Sequence, residues 1–385
     1  MENTKTKSIY SLETFVFIAI FGFIFGGLAN VMGLPNLMNT IMKTAYALLL
    51  DTVFYIMAIS VIAGAIGSLF TEFGVVAIIN KLLSPLMKPI YGLPGAASLG
   101  IMSTFLSDNP AILALADDVS FKRYFKKYQL PALTNLGTSF GMGLIVVTFM
   151  LGLKTTDAPS LTKAAMIGLL GSIIGSIISA RIMLHFTKKE YGTKTPAYEG
   201  DDNSMMVEDT RLIHDGSVPA RILNSLIEGG KSGVRLGLEI IPGVLIICTI
   251  VMILTNNSNG EYTGAAYEGI GLLPYIGAKF DFILKPLFGF SSAECISVPI
   301  TALGAAGAAI GLIPSMIAKG IVHANDIAVF TAMCMNFSGY LSTHVAMMEA
   351  LKFPHLTGKS IMAHTIGGIC SGISAHLLFM LFSMF

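Results

Sequence analysis

The sequence predicts an all-α polytopic membrane protein with about seven transmembrane helices and two re-entrant helical hairpins, arranged as two inverted-topology repeats. Three observations carry this expectation: an apolar composition, apolar runs of bilayer length, and an internal duplication. Of 385 residues, 54% are hydrophobic and 12% charged, and the mean hydropathy is +0.73. Soluble domains average about 25% charged residues, so too few charges are present to coat a globule of this size. A soluble enzyme, a disulfide-built secreted domain and a disordered chain are excluded. The 24 basic residues are balanced by 23 acidic ones, which gives no electrostatic case for nucleic acid. Cys248, Cys295, Cys334 and Cys370 lie singly in apolar segments without a CxxC pair, so neither a zinc site nor a disulfide framework is suggested.

The first apolar run, Phe15 to Val31, follows Lys5 and Lys7, and no A-x-A-like cleavage site comes after it. It therefore reads as a membrane helix, about 12–33, within an N-terminal unit 1–40. Further spans of about 20 residues fit at roughly 46–70, 129–153, 162–185, 233–254, 326–350 and 360–384. Two other apolar stretches, roughly 94–117 and 291–318, are interrupted. Ser107-Asp108-Asn109-Pro110 breaks the first, and Pro299 and Pro314 bracket a run of glycine and alanine in the second. Proline removes a backbone donor, and unpaired backbone groups cannot face lipid. Both stretches are expected to enter the membrane and turn back.

Charge fixes the orientation. The polar linker 187–230 carries Lys188, Lys189, Lys194, Arg211 and Arg221, which places it in the cytoplasm. Counting back through two spans puts Lys122, Arg123, Lys126 and Lys127 on the same side. A hairpin at 94–117 then leaves Lys5 and Lys7 inside, whereas a full crossing would leave them outside. The expected result is a multi-pass protein of a bacterial-type cell membrane with a cytoplasmic N-terminus and an external C-terminus.

The segments 41–186 and 231–385 match each other in order. Leu48-Leu49-Leu50-Asp51 pairs with Leu236-Gly237-Leu238-Glu239, and Lys88-Pro89-Ile90-Tyr91-Gly92-Leu93 with Lys285-Pro286-Leu287-Phe288-Gly289-Phe290. Pro110 pairs with Pro314, Asn135-Leu136-Gly137 with Asn336-Phe337-Ser338, and Ile178-Ser179-Ala180-Arg181 with Ile373-Ser374-Ala375-His376. The charge count makes the two units enter from opposite sides. Inverted repeats with broken helices at the midplane are a common plan of secondary transporters.

These residues resemble the Gate, or nucleoside-recognition, domain family of bacterial membrane proteins. That family is related to concentrative nucleoside transporters and to the membrane part of ferrous-iron transporters. Tyr91-Gly92-Leu93-Pro94-Gly95 with Asn109-Pro110-Ala111-Ile112 resembles the Gate hairpin of iron transporters. The cysteine often found there is replaced by the Ser107-Asp108-Asn109 region, which argues against iron. Phe290-Ser291-Ser292-Ala293-Glu294 and Asn336-Phe337-Ser338 are similar to hairpin motifs of nucleoside transporters. The resemblance implies that Glu294 faces the solute.

Candidate site residues follow from cost and position. A carboxylate at membrane depth, such as Glu294, costs roughly 2.5–3.5 kcal/mol and normally has a partner or a role. Ser107, Asp108 and Asn109 cap the returning arm of the first hairpin or touch solute. Asn135 and Asn336 sit at equivalent places, with Ser139, Ser338 and Thr343 nearby, and form either a polar lining or interhelical hydrogen bonds. Asp51 and Glu239 suit sodium or proton coupling, or an ion pair near the interface. His344 is a buried titratable group, and Arg181 and His376 fit helix ends. Gly22-xxx-Gly26 and Gly171-xxx-Gly175 predict close helix contacts. Gly137-xx-Phe140-Gly141 holds a GxSxG match inside a helix, where the hydrolase elbow cannot form.

The expected function is a secondary transporter, not an enzyme, moving a small polar solute by alternating access, with a nucleoside or nucleobase as first candidate. The rivals are a metal or small-ion transporter and a non-transporting assembly or sporulation-type membrane component. No cofactor or metal centre is expected, and no GxxxxGK[ST] motif supplies ATP. The expected partners are the solute and the bilayer, and a homo-oligomer is compatible with the sequence.

Overall fold

The structure, a computed structural model, describes residues 8–109, 111–112, 119–155, 160–198 and 213–384. Helix α1, Leu12–Met32, starts at Ser11, whose Oγ accepts from the Thr14 N–H. Gly33, at φ 78°, turns the chain directly into α2, Leu34–Glu72. At 39 residues, α2 is about 58 Å long, roughly twice the hydrocarbon thickness of a bilayer. A π-helical stretch at Leu48–Val53 interrupts it and carries Asp51.

An amphipathic helix α3, Val75–Leu86, leads to the first hairpin. Its entering arm is α4, Ala97–Leu106. Ile112, just past the tip, packs back against Gly100 of that arm, so the chain has reversed direction. There follow α5, Ala132–Phe140, and α6, Gly143–Gly152, separated by Gly141 and Met142, and then the long α7, Thr162–Tyr191.

The second half places four described helices before its hairpin. It runs through α8, Val218–Glu239, and α9, Gly243–Thr255, then the short α10, Leu272–Lys279, and α11, Asp281–Phe288. The second hairpin has arms α12, Ser297–Gly304, and α13, Ala306–Ala318, which pack on each other across an extended Ala305. Next come α14, Ala324–Phe337, and α15, Tyr340–Ala350, separated by Ser338 and Gly339, and finally α16, Thr357–Ser383. Sequence-matched pairs meet in matched ways. Arg181 of α7 donates to the carbonyls of Pro89 and Ile90 beside Gly92, and His376 of α16 lies against Gly289.

Small residues set the two tightest crossings. Gly171 and Gly175 of α7 face Ser371, Ala375 and the Gly367 carbonyl of α16, the close contact expected of a small-residue motif. Gly22 and Gly26 meet nothing within 4 Å, so the contact predicted for α1 is not made within this chain. The other crossing, α2 on α8, runs through Gly64, Gly229, Gly233 and Gly237.

One expectation is corrected. Among the described residues, five helices are long and apolar enough to cross a membrane, or six if the pair Asp281–Phe288 and Ala293–Gly304, bent by 76°, forms one span. Seven were expected. The backbone break at Ser338-Gly339 splits 326–350, and α9 alone is too short for 233–254. The part of the linker after 217 is helical. Its residues form the first half of α8, packed on α2 because glycines let the backbones touch. The multi-pass, all-helical character stands.

Candidate functional site

Four interruptions of regular helix converge on one place. The first hairpin turns at Ser107, Asp108 and Asn109, the second at Gly304, Ala305 and Ala306, and the long helices break at Gly141-Met142 and Ser338-Gly339. The breaks need unusual backbone: Met142 has φ 55°, Ser338 φ 36° and Gly339 φ 68°. Gly141 does not, with φ −59°; it is required because a Cβ there would coincide with Asn109 Oδ1.

Between these interruptions lies a cavity of about 290 Å³. Asp108, Asn109, Ser338 and Thr343 supply its polar side chains, Met142 and Ile240 its apolar ones, and Gly243, Gly339 and the Gly304–Gly307 turn its exposed backbone. Helix ends abut it with both free C=O groups and free N–H groups, as at α4, α12 and α14 on one hand and α6, α13 and α15 on the other. Among the described residues, no basic or aromatic side chain lines it.

Asn109 holds the arrangement together. It is buried, its Nδ2 donates to the Ser338 carbonyl at 2.8 Å, and the Ser338 Oγ donates to the Gly141 carbonyl at 3.2 Å. Asn109 Oδ1 has no hydrogen-bond donor. Asp108 Oδ1 accepts from the Asn109 N–H at 2.7 Å, and Thr343 Oγ1 donates to the Gly339 carbonyl at 3.0 Å.

Asn135 and Asn336 instead lie within the protein wall. Asn135 Nδ2 donates to Ser179 Oγ and to the Ser360 carbonyl, both at 3.0 Å, while its Oδ1 accepts from Ser360 Oγ at 2.7 Å. Asn336 Nδ2 donates to Ser172, and Ser139 Oγ to the Asn135 carbonyl. The network continues from Ser179 to His364 Nδ1 and from His364 Nε2 to the Asn336 carbonyl. It ties α5, α7, α14 and α16 together beside the breaks.

The remaining candidates are not among the residues that line the cavity. Ser107 Oγ donates to the Ser103 carbonyl within α4. Glu294 sits in the turn Ala293–Ile296 at the open end of the second hairpin, about 15 Å from its tip at 1.5 Å per residue. It acts electrostatically on Lys319, at the same end of the hairpin. Asp51 is exposed on α2, and Glu239 ends α8, its side chain outside the described residues. Among the described residues no group of three His, Cys, Asp or Glu is placed to hold a metal ion. Met142, Ile240, Gly243 and the Gly304–Gly307 turn were not foreseen. Their only signal was small residues flanked by apolar ones.

The fold has solved counterparts. CNTnw, a concentrative nucleoside transporter, in an inward-facing substrate-bound state, superposes with a TM-score of 0.51 at 12% identity, over 96% of this chain and 88% of that one. A doubly substituted CNTnw in an outward-facing state gives 0.51 at 13% identity, over 96% and 84%. The fold is CNT-like. No protein-family model matches the chain, and no curated protein matches it.

Proposed function

We propose that the protein is a secondary transporter that carries a small polar solute by alternating access, built from inverted repeats 41–186 and 231–385. One observation carries the reading: two hairpin tips and two helix breaks, one of each from either half, line one partly polar cavity. Broken helices supply hydrogen-bonding backbone without side chains, and pseudo-symmetric halves can close one side as the other opens. The similarity to CNTnw, captured inward-facing with substrate bound and outward-facing as a variant, supports the same class. It makes a nucleoside or nucleobase the first solute to test.

Asp108, Asn109, Ser338 and Thr343 are the proposed contacts. Asn135, Ser139 and Asn336 are proposed to position the breaks, and Glu294 to meet solute at the mouth of the second hairpin. Asp51 and Glu239 are the carboxylates open to ion coupling. Uptake of labelled uridine and adenine into proteoliposomes, with and without an imposed sodium or proton gradient, tests the reading. Gradient-dependent uptake lost in Asn109→Ala is the expected result. Uptake that Asn109→Ala leaves intact removes the cavity as the site, and uptake indifferent to Glu294→Gln removes Glu294 from the pathway.

A further inference from the structure

We propose that His344 is a proton-binding site whose protonation drives α15 out of the packing seen here. The proposal uses the transport reading only for its consequence, the coupling of a proton to solute movement.

His344 follows the cavity-lining Thr343 on α15, just over one turn beyond the break. It is fully buried, and neither ring nitrogen makes a well-formed hydrogen bond, although the ring lies near the Tyr340 carbonyl one turn back. A neutral imidazole carries one donor and one acceptor, and a buried polar group left unpaired in a native structure calls for an explanation. The nearest rings are His364, with centroids 4.6 Å apart, and Tyr340, edge-on at 5.5 Å.

His364 cannot relieve it. The Asn336 carbonyl only accepts, so His364 Nε2 must carry the proton and Nδ1 must accept from Ser179 Oγ. Both of its nitrogens are engaged.

Among the described residues, a positive charge on His344 finds no counter-ion either. Helix α15 packs against α5, α12, α16 and the turn Pro354–Leu356. Helices α5 and α12 carry no titratable side chain. On α16, His364 faces His344, Lys359 is bound to Glu190, and His376 is bound to Asn325. Cys370 of α16 is a half-buried thiol. In the turn, His355 is bound to Glu190 and Tyr191. On α15 itself, Tyr340 is bound to Thr365 and Glu349 is exposed.

The packed conformation therefore rejects the imidazolium, whereas one that turned His344 toward the aqueous cavity would accept it. A ligand that binds one of two states shifts the population toward that state. The left-handed pair Ser338-Gly339 at the start of α15 provides a hinge. The proton comes from water and returns to it, and no other bond changes.

The test places a Thr343→Cys reporter in the full chain with the four native cysteines replaced by serine, reconstituted in liposomes. Labelling by a membrane-impermeant maleimide is compared at about pH 7.5 and 5.5, with and without His344→Asn, which cancels the thiol's own pH dependence. The expected ratio of the two rates changes at least about fivefold across that interval. A ratio that does not move overturns the proposal. Should the reporter chain fail to fold, hydrogen exchange of α15 is compared between the native chain and His344→Asn at the same two pH values. Faster acid-side exchange in the native chain alone supports the switch, and equal responses overturn it. Neither measurement contains solute, so a failure of uridine uptake counts against the transport reading and not against this one.

Discussion

The Asn109 side chain, at the tip of the first hairpin, donates to the backbone carbonyl of Ser338, 2.8 Å away and 229 residues further along the chain. Its Oδ1 lies against Gly141. One amide thus touches both helix breaks, and the first hairpin is locked to both halves of the molecule. Asn109→Ala leaves a buried carbonyl without its donor, a loss of about 1–3 kcal/mol. The expected outcome is a lower unfolding midpoint and uptake reduced about tenfold or more. Asn109→Asp keeps the shape but removes the donor, and is expected to follow the alanine variant. A stable, fully active Asn109→Ala would show that the bridge does not matter.

Gly141→Ala probes the same contact from the other side. The backbone there is permissible for any residue, so the effect is steric: the new Cβ falls on Asn109 Oδ1 and reaches Ser338 Oγ at 3.0 Å. The hairpin tip must move, and uptake is expected to fall about tenfold with the protein still folded. Gly152→Ala, whose Cβ would meet only Tyr55 Oη at 3.7 Å, serves as the control and keeps uptake. Equal behaviour of the two variants would remove the tip from the mechanism.

The hydropathy of the chain showed its class, and prolines marked both hairpins, because apolar length and missing donors are written residue by residue. Asn135 and Asn336 were also legible as polar residues of apolar spans, although they stand six residues before Gly141 and two before Ser338. Their surroundings were not. Whether an asparagine lines a cavity or bridges helices depends on what faces it, and Ser179, Ser360 and His364 come from distant helices. The breaks were missed for a related reason. Met142 and Ser338 are left-handed yet carry no strong helix-breaking letter, and the bond from Asn109 to the Ser338 carbonyl comes from a distant hairpin. Glu294 stood out by the cost of burying charge, but the structure sets it at the hairpin's open end, where that cost is smaller.

The crossing of α2 and α8 depends on absent side chains. A Cβ on Gly233 would run into the Ser60 carbonyl, and one on Gly64 would lie 2.5 Å from the Gly229 carbonyl. These obstacles are backbone and cannot swing aside. Gly233→Val is expected to cost about 1–3 kcal/mol, read as a lower unfolding midpoint in detergent. Gly230→Ala, with only Val61 Cγ1 at 3.6 Å, is expected to unfold like the native chain. If Gly233→Val also does, the helices are not in this contact.

The end of α2 is pinned by charge. Glu72 receives Arg221 Nε at 2.6 Å and His214 Nδ1 at 2.7 Å, and His214 Nε2 reaches Glu228 at 2.9 Å. Burial by itself raises the Glu72 carboxyl, but the bonds from Arg221 and His214 outweigh it and hold it at about 2, below the usual 4.5. Its contribution is present above about pH 4.5 and is lost as pH falls from there through about 2. For His214 the sign is opposite: the bonds to Glu228 and then Glu72 raise it above 6.5. Its contribution is complete below about pH 6.5 and is lost as pH rises through the elevated value. The clamp is therefore tightest between about pH 4.5 and 6.5. Hydrogen exchange at residues 213–221 is expected to be slowest in that window and to quicken on the alkaline side after correction for intrinsic rates. His214→Asn should abolish the alkaline rise, and Glu72→Gln should speed exchange across the window. A corrected rate that is flat with pH in the native chain would mean that α8 begins without help from these charges.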